Sequence, residues 1–149
     1  MKIGVNALFM IPDEVGGSET YLRKTLRAAA ADHPHHEFTV FANRENRDVL
    51  ARDLAACHNV VIVDMRVRAT SRARRIHCEQ TTLPRIIEAK HIDVLWNPGN
   101  MAPFRISCPQ ATTIHDMQYV HFPEDFTKLS LLAMKVLTPL AMKHSDTVI

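Results

Sequence analysis

The chain has 149 residues, and several common ingredients are scarce or missing. No run of eighteen apolar residues occurs, so no membrane-spanning helix is expected. The three cysteines, Cys57, Cys78 and Cys108, are odd in number and lack C-x-x-C spacing, which argues against a disulfide framework or a structural zinc site. Only four glycines occur, at positions 4, 16, 17 and 99. They cannot form G-x-G-x-x-G, and no GK[ST] follows them, so nicotinamide dehydrogenases and P-loop NTPases are disfavoured. The start, MKIGVNALFMIPDE, has one lysine and a short apolar stretch, but Pro12, Asp13 and Glu14 stand where a signal peptide needs small residues. Residues 2–9 therefore read as a strand, and the protein as cytoplasmic.

What is present is globular. Hydrophobic residues make up 46% and charged residues 23%, so the composition suits a folded core. A chain this long buries roughly 70% of its unfolded surface, enough for one self-sufficient domain. The net charge of +2 is unevenly placed. Arg66, Arg68, Arg72, Arg74 and Arg75 crowd into ten residues with no acid among them; without these five, 13 basic residues face 16 acidic ones. The basic character is local, so no nucleic-acid partner is expected.

Short apolar runs alternate with helical patterns. Residues 3–9, 37–41, 60–63, 92–96 and 111–114 read as strands, and 147–149 begin a sixth. Tyr21, Leu22, Leu26, Ala29 and Ala30 share a helical face behind Ser18, the candidate N-cap. Val49, Leu50, Leu54 and Cys57 form a second stripe. Ile76, Leu83, Ile86 and Ile87 form a third, which Pro84 must kink or restart. Leu129, Leu132, Val136, Leu137 and Leu140 form a fourth, with Pro139 inside it. The expected fold is α/β: a Rossmann-like parallel sheet with helices on both faces and right-handed crossovers.

In such a sheet, ligands bind beyond the carboxyl ends of the strands. Gly16–Gly17 follows the first strand there. With Ser18 at the helix start it reads as a phosphate cradle or simply as a tight loop. His115–Asp116 follows the fifth strand. It reads as an imidazole aimed at a substrate hydroxyl or as a strand-end loop. Asn97-Pro98-Gly99-Asn100 supplies polar groups to the same rim or forms a plain Pro–Gly turn. The arginine cluster reads as a contact for acceptor phosphate or anionic lipid, or as a mobile solvated loop. His33, His35 and His36 (HPHH) read as a solvated connection. Adjacent His35 and His36 are expected to point apart, so no metal is assigned.

Taken together, MKIGVNALF, GGSETYLRKTLRA, IDVLWNPGN, CPQATTIHDMQYVHFPEDF and LTPLAMKHSDTVI resemble the N-terminal domain of family-four retaining glycosyltransferases with the GT-B fold. The resemblance runs over essentially all 149 residues. It implies an acceptor-side domain whose C-terminal donor-binding partner lies outside this chain. It further implies a nucleotide-sugar as substrate, no bound cofactor or metal, and transfer of a hexose with retention to a sugar or lipid-linked acceptor. His115 is then the catalytic contact to the sugar, and Gly16, Gly17 and Ser18 approach the donor diphosphate. Asn97, Asp116 and Gln118 are expected on the sugar. A stand-alone, non-catalytic binding domain of the same fold is the alternative.

The arginine cluster also raises peripheral attachment at the inner face of the membrane. If the patch is electrostatic, binding to anionic vesicles is weak and falls steeply with salt, as a sedimentation assay would report. Equal binding to neutral vesicles would exclude it.

Overall fold

A computed structural model describes residues 1–149. Six parallel strands form one sheet: β1 (Lys2–Asn6), β2 (Glu37–Ala42), β3 (Val60–Asp64), β4 (Val94–Asn97), β5 (Gln110–Thr112) and β6 (Thr147–Val148). Their order is β3-β2-β1-β4-β5-β6, the doubly wound Rossmann order. The expected fold class is therefore present. The helices are α1 (Gly17–Asp32), α2 (Arg47–Asp53), α3 (Arg72–His77), α4 (Leu83–Ala89), α5 (Gln118–His121) and α6 (Lys128–His144). None is long and apolar enough to cross a membrane.

The alternation of side chains along β1 and β2 builds two cores. On one face Val5 and Val40 meet Leu22, Leu26 and Ala30 of α1 and Leu50 of α2. On the other, Phe41 and Leu95 meet Leu83 and Ile87 of α4. Gly4 of β1 lies under this second core. A Cβ there would come within 3.0–3.1 Å of Ile92, Leu95 and Phe41, so the missing side chain lets the layer close.

Several boundaries differ from expectation. β1 ends at Asn6, because Ala7–Phe9 leave the sheet in a turn closed by the Met10 N–H on the Ala7 carbonyl (3.2 Å). β4 starts at Val94, later than expected, and β5 stops at Thr112. Pro84 does not break the helix: α3, a π-helical turn over Cys78–Thr82 and α4 run on with helical backbone angles, and the wider turn just before Pro84 accommodates its missing N–H. Pro139 is tolerated inside α6.

α6 is only partly covered. Thr138 and Ala141 are buried, but Leu129 and Leu132 are 75% and 62% exposed, beside exposed Val120 and Phe122.

Leu95, fully buried, and Leu132 make a direct comparison. Leu95→Ala is expected to cost about 2–5 kcal/mol through lost burial and a residual cavity. Leu132→Ala should change stability by no more than about 0.5 kcal/mol. Urea denaturation of both variants measures the contrast; equal effects would mean that the second core is not where the sheet is held.

Candidate functional site

The sheet order reverses between β1 and β4, so their following loops leave in opposite directions and open a crevice at the carboxyl edge. Buried amides organise this edge. The Asn6 side chain donates to Glu79 Oε1 (2.6 Å) and to Asn97 Oδ1 (3.0 Å). The Asn97 amide donates in turn to Gln110 Oε1 (3.0 Å) and Thr112 Oγ1 (3.4 Å). The Gln110 amide donates to the carbonyls of Pro103 (2.9 Å) and His144 (2.8 Å). One directed chain of hydrogen bonds thus crosses β1, β4 and β5. A second pair holds the loop after β1: Asn43 Nδ2 donates to the carbonyls of Leu8 and Met10, and Asn46 Nδ2 to those of Ala7 and Met10.

Glu79 terminates the chain from within the π-helical turn. Burial pushes its carboxyl above the ordinary value of 4.5, against the opposing effects of the Asn6 bond and the Arg75 charge. An acid three residues after Ile76 and four before Leu83, on the face of the third apolar stripe, was the one sequence signal for this residue. Nothing pointed to Asn6 or Gln110.

The glycine loop lies above these amides. Gly16 is the N-cap of α1, with φ of 55° and ψ of −122°, a conformation open to glycine and strained for other residues. A Cβ on Gly16 or Gly17 would meet nothing within 4 Å, so the backbone faces open space. Ser18 is not the N-cap that its sequence position suggested. It sits inside the first turn, and its hydroxyl donates to the Val15 carbonyl (2.8 Å). The loop is braced by Glu19, whose buried carboxylate accepts from the Asp13 N–H (2.8 Å) and pairs with Arg23 (2.7 Å). Arg23 also pairs with Asp53. No side chain caps α1, which leaves the N–H groups of its first turn without a side-chain acceptor.

His115 stands beside this helix. Its Nε2 lies 2.6 Å from the Pro98 carbonyl, which requires Nε2–H to donate and leaves Nδ1 as an acceptor in the neutral ring. Its backbone N–H donates to Asn100 Oδ1 (2.8 Å). The Tyr21 ring of α1 meets the His115 ring edge-on at 5.1 Å and Trp96 at 5.8 Å. Thr113 Oγ1 accepts from Trp96 Nε1 (3.2 Å) and lies 3.4 Å from the Tyr21 hydroxyl. The structure therefore joins the predicted glycine loop and His115 through Tyr21, which sequence reading had placed on the buried stripe.

Other predicted residues lie elsewhere. Asn97 is fully buried and both its amide atoms are used in the interior chain, so its side chain does not reach the rim. Asp116 and Gln118 are exposed; Asp116 accepts from the Gln118 N–H (3.1 Å), and the Gln118 amide donates to Asp125 (3.1 Å).

The arginine cluster divides in two. Arg66, Arg68 and Arg74 line a groove of about 310 Å³ with Arg44 and His77. Arg72 and Arg75 instead face a cavity of about 190 Å³ walled by Phe9, Val15, Gly99 and Asn100 and by Met134 and Leu137 of α6. Gly99 is obligatory there, since a Cβ would fall 2.3 Å from the Phe9 ring. No acid lines this cavity. Arg72 donates to Ser130 of α6 (2.7 Å). Arg75 has a buried Nε without a partner, and its NH2 group reaches only the Met101 sulfur (3.8 Å). Burial lowers its pKa, with Glu79 opposing, yet no carboxylate lies within ion-pair distance. Asn100 thus touches both His115 and this cationic cavity.

His33, His35 and His36 do not point apart as expected. They converge at the opposite edge of the sheet, one ring nitrogen of each lying within 4.8 Å of the others. No family model matches the chain, and no curated protein or solved structure matches it.

Glu79 offers a pH test. Its raised folded-state pKa means that the folded protein binds the proton more tightly than the unfolded chain. The stabilisation is complete below the ordinary 4.5 and is lost as pH rises through the folded value. Glu79→Gln keeps an acceptor for Asn6 and removes the titration. Its stability relative to wild type should therefore climb with pH above 4.5 in urea melts. Parallel stability curves for the two proteins would refute the buried-acid assignment.

Proposed function

We propose that the chain is the acceptor-side half of a retaining glycosyltransferase of the GT-B type. The observation that supports this best is the convergence at the sheet's switch point of three features: an uncapped glycine-led helix start, His115, and a cavity bearing two arginines. The sequence resemblance assigns the glycine loop and His115 the same tasks; the arginines carry no assignment from it.

In this reading a nucleotide-sugar supplied from a facing donor domain places its diphosphate against Gly16–Gly17. The open backbone admits close approach, and the α1 N–H groups offset the charge that builds on the leaving phosphate. His115, its Nε2 tied to the Pro98 carbonyl, presents Nδ1 to accept a hydrogen bond from a hydroxyl of the transferred sugar. Tyr21 packs against the ring, and Asn100 fixes the backbone that carries it. The acceptor, a sugar or lipid-linked hydroxyl, enters the cavity beside Asn100, where Arg72 and Arg75 suit an acceptor that carries an anionic group. Asn97, Asp116 and Gln118 have no direct part in this arrangement; Asn97 supports it from below.

The test is release of nucleoside diphosphate from a panel of nucleotide-sugars by the full-length gene product. Wild type should turn over at least one donor. His115→Ala should lower kcat about a hundredfold with an unchanged circular dichroism spectrum. Gly16→Val, strained at positive φ, should raise KM for the donor. Unchanged turnover in His115→Ala would remove the role given to that residue. Silence with every donor would favour a fold kept for binding alone.

A further inference from the structure

We infer that His33, His35 and His36 form a zinc-binding site at the amino edge of the sheet, a metal clip between α1 and β2. The loop that carries them is built rather than slack. The His33 N–H closes α1 on the Ala29 carbonyl (3.0 Å), and the His36 N–H returns to the His33 carbonyl (3.0 Å), with Pro34 stiffening the turn between them. The side-chain amide of Asn59, from the turn before β3, fastens the same segment. Its Nδ2 lies 3.1 Å from the Ala30 carbonyl, 3.3 Å from that of His33 and 2.9 Å from that of His36. The backbone that presents the three imidazoles is thus tied to a neighbouring connection of the sheet.

The side chains meet above this turn. Ring centroids are 4.1 Å apart for His35 and His36, 5.7 Å for His33 and His36, and 6.0 Å for His33 and His35. One nitrogen from each ring falls within 4.8 Å of the other two. Zinc bonds imidazole nitrogen at about 2.0–2.1 Å, which sets tetrahedral nitrogens roughly 3.3 Å apart. His33 and His35 are exposed, so their rings are free to rotate and close that gap. The third ring supplies an independent sign. His36 Nδ1 is shut off from solvent and bonds to no protein group, a buried polar atom left without a partner. A metal, or a water that it carries, would satisfy it. Imidazole is a ligand suited to zinc, and three histidines plus one open position is a recurrent zinc arrangement. The site lies at the opposite end of the strands from the glycine loop and His115, so it stands or falls independently of the proposed transferase.

The experiment is titration of the tag-free protein with Zn²⁺ in competition with a chromophoric chelator. Co²⁺ serves as a spectroscopic stand-in. The expected result is one ion per chain, a micromolar or tighter dissociation constant, and a visible tetrahedral cobalt band. His33→Gln, His35→Gln and His36→Gln should each weaken binding at least tenfold, while His121→Gln and His144→Gln leave it unchanged. Asn59→Ala should weaken binding several-fold and keep both the stoichiometry and the cobalt band, as expected for a positioning residue. Zinc should raise the Tm of wild type but not of His36→Gln. Binding that survives all three histidine replacements within twofold would overturn the site. So would one ion shared between two chains.

Discussion

The carboxyl edge of this sheet depends on buried side-chain amides. Asn6, Asn97 and Gln110 occupy strand positions where a parallel sheet ordinarily carries Val, Ile or Leu. Each donates to the next, so none is left unpaired, and the chain ends on backbone carbonyls on one side and on Glu79 on the other. Such a series is polarised along its length and loses more than one bond's worth when a member is removed. It couples β1, β4 and β5 to the end of α6 and to the π-helical turn. The loops that carry the glycine pair and His115 therefore rise from a hydrogen-bonded floor instead of an apolar one, which defines their relative placement more sharply than packing alone.

Much of the fold was legible because its signals are local. Apolar runs marked the strands to within a few residues, and the 3.6-residue stripe of α1 was plain; the α6 stripe marked a helix, but its Leu129, Leu132 and Val136 face outward while Thr138 and Ala141 are buried. The strand ends were misjudged for a physical reason. Ala7, Leu8 and Phe9 are as apolar as β1 but bury themselves around a turn held by Asn43 and Asn46, some 35 residues later in the chain. Long-range side-chain bonds of that kind leave no periodic trace. The same holds for Ser18, displaced from the cap by Gly16, whose positive φ already turns the chain into the helix.

The candidate site was legible in part. Gly16, Gly17 and His115 were visible from their place after strands, and the structure sets His115 against Tyr21 of the helix that Gly16 opens. Asn97 was misplaced because a polar residue at a strand end reads as rim unless its partners are known; here they are Asn6 and Gln110. The arginines read as one patch because sequence records proximity along the chain and not direction. The helical turn of α3 sends Arg72 and Arg75 one way and Arg74 another. The histidines were expected to point apart for a related reason, since adjacency in sequence does not show that a tight turn lets neighbours face a common point.

The central position of β1 bears on how the chain is assembled as it is made. β1 pairs with β2 within the first 42 residues, and β3 completes a three-stranded half by residue 64. That half already has its own helical cover in α1 and α2. Its other edge, the open side of β1, stays unpaired until β4 emerges about 90 residues after β1. A nascent chain thus carries an unpaired strand edge through the middle of its synthesis, the condition under which strand edges capture wrong partners. Gly4, with no side chain to shield that strand, makes it the point at which slow elongation or a chaperone would most alter the yield of folded protein.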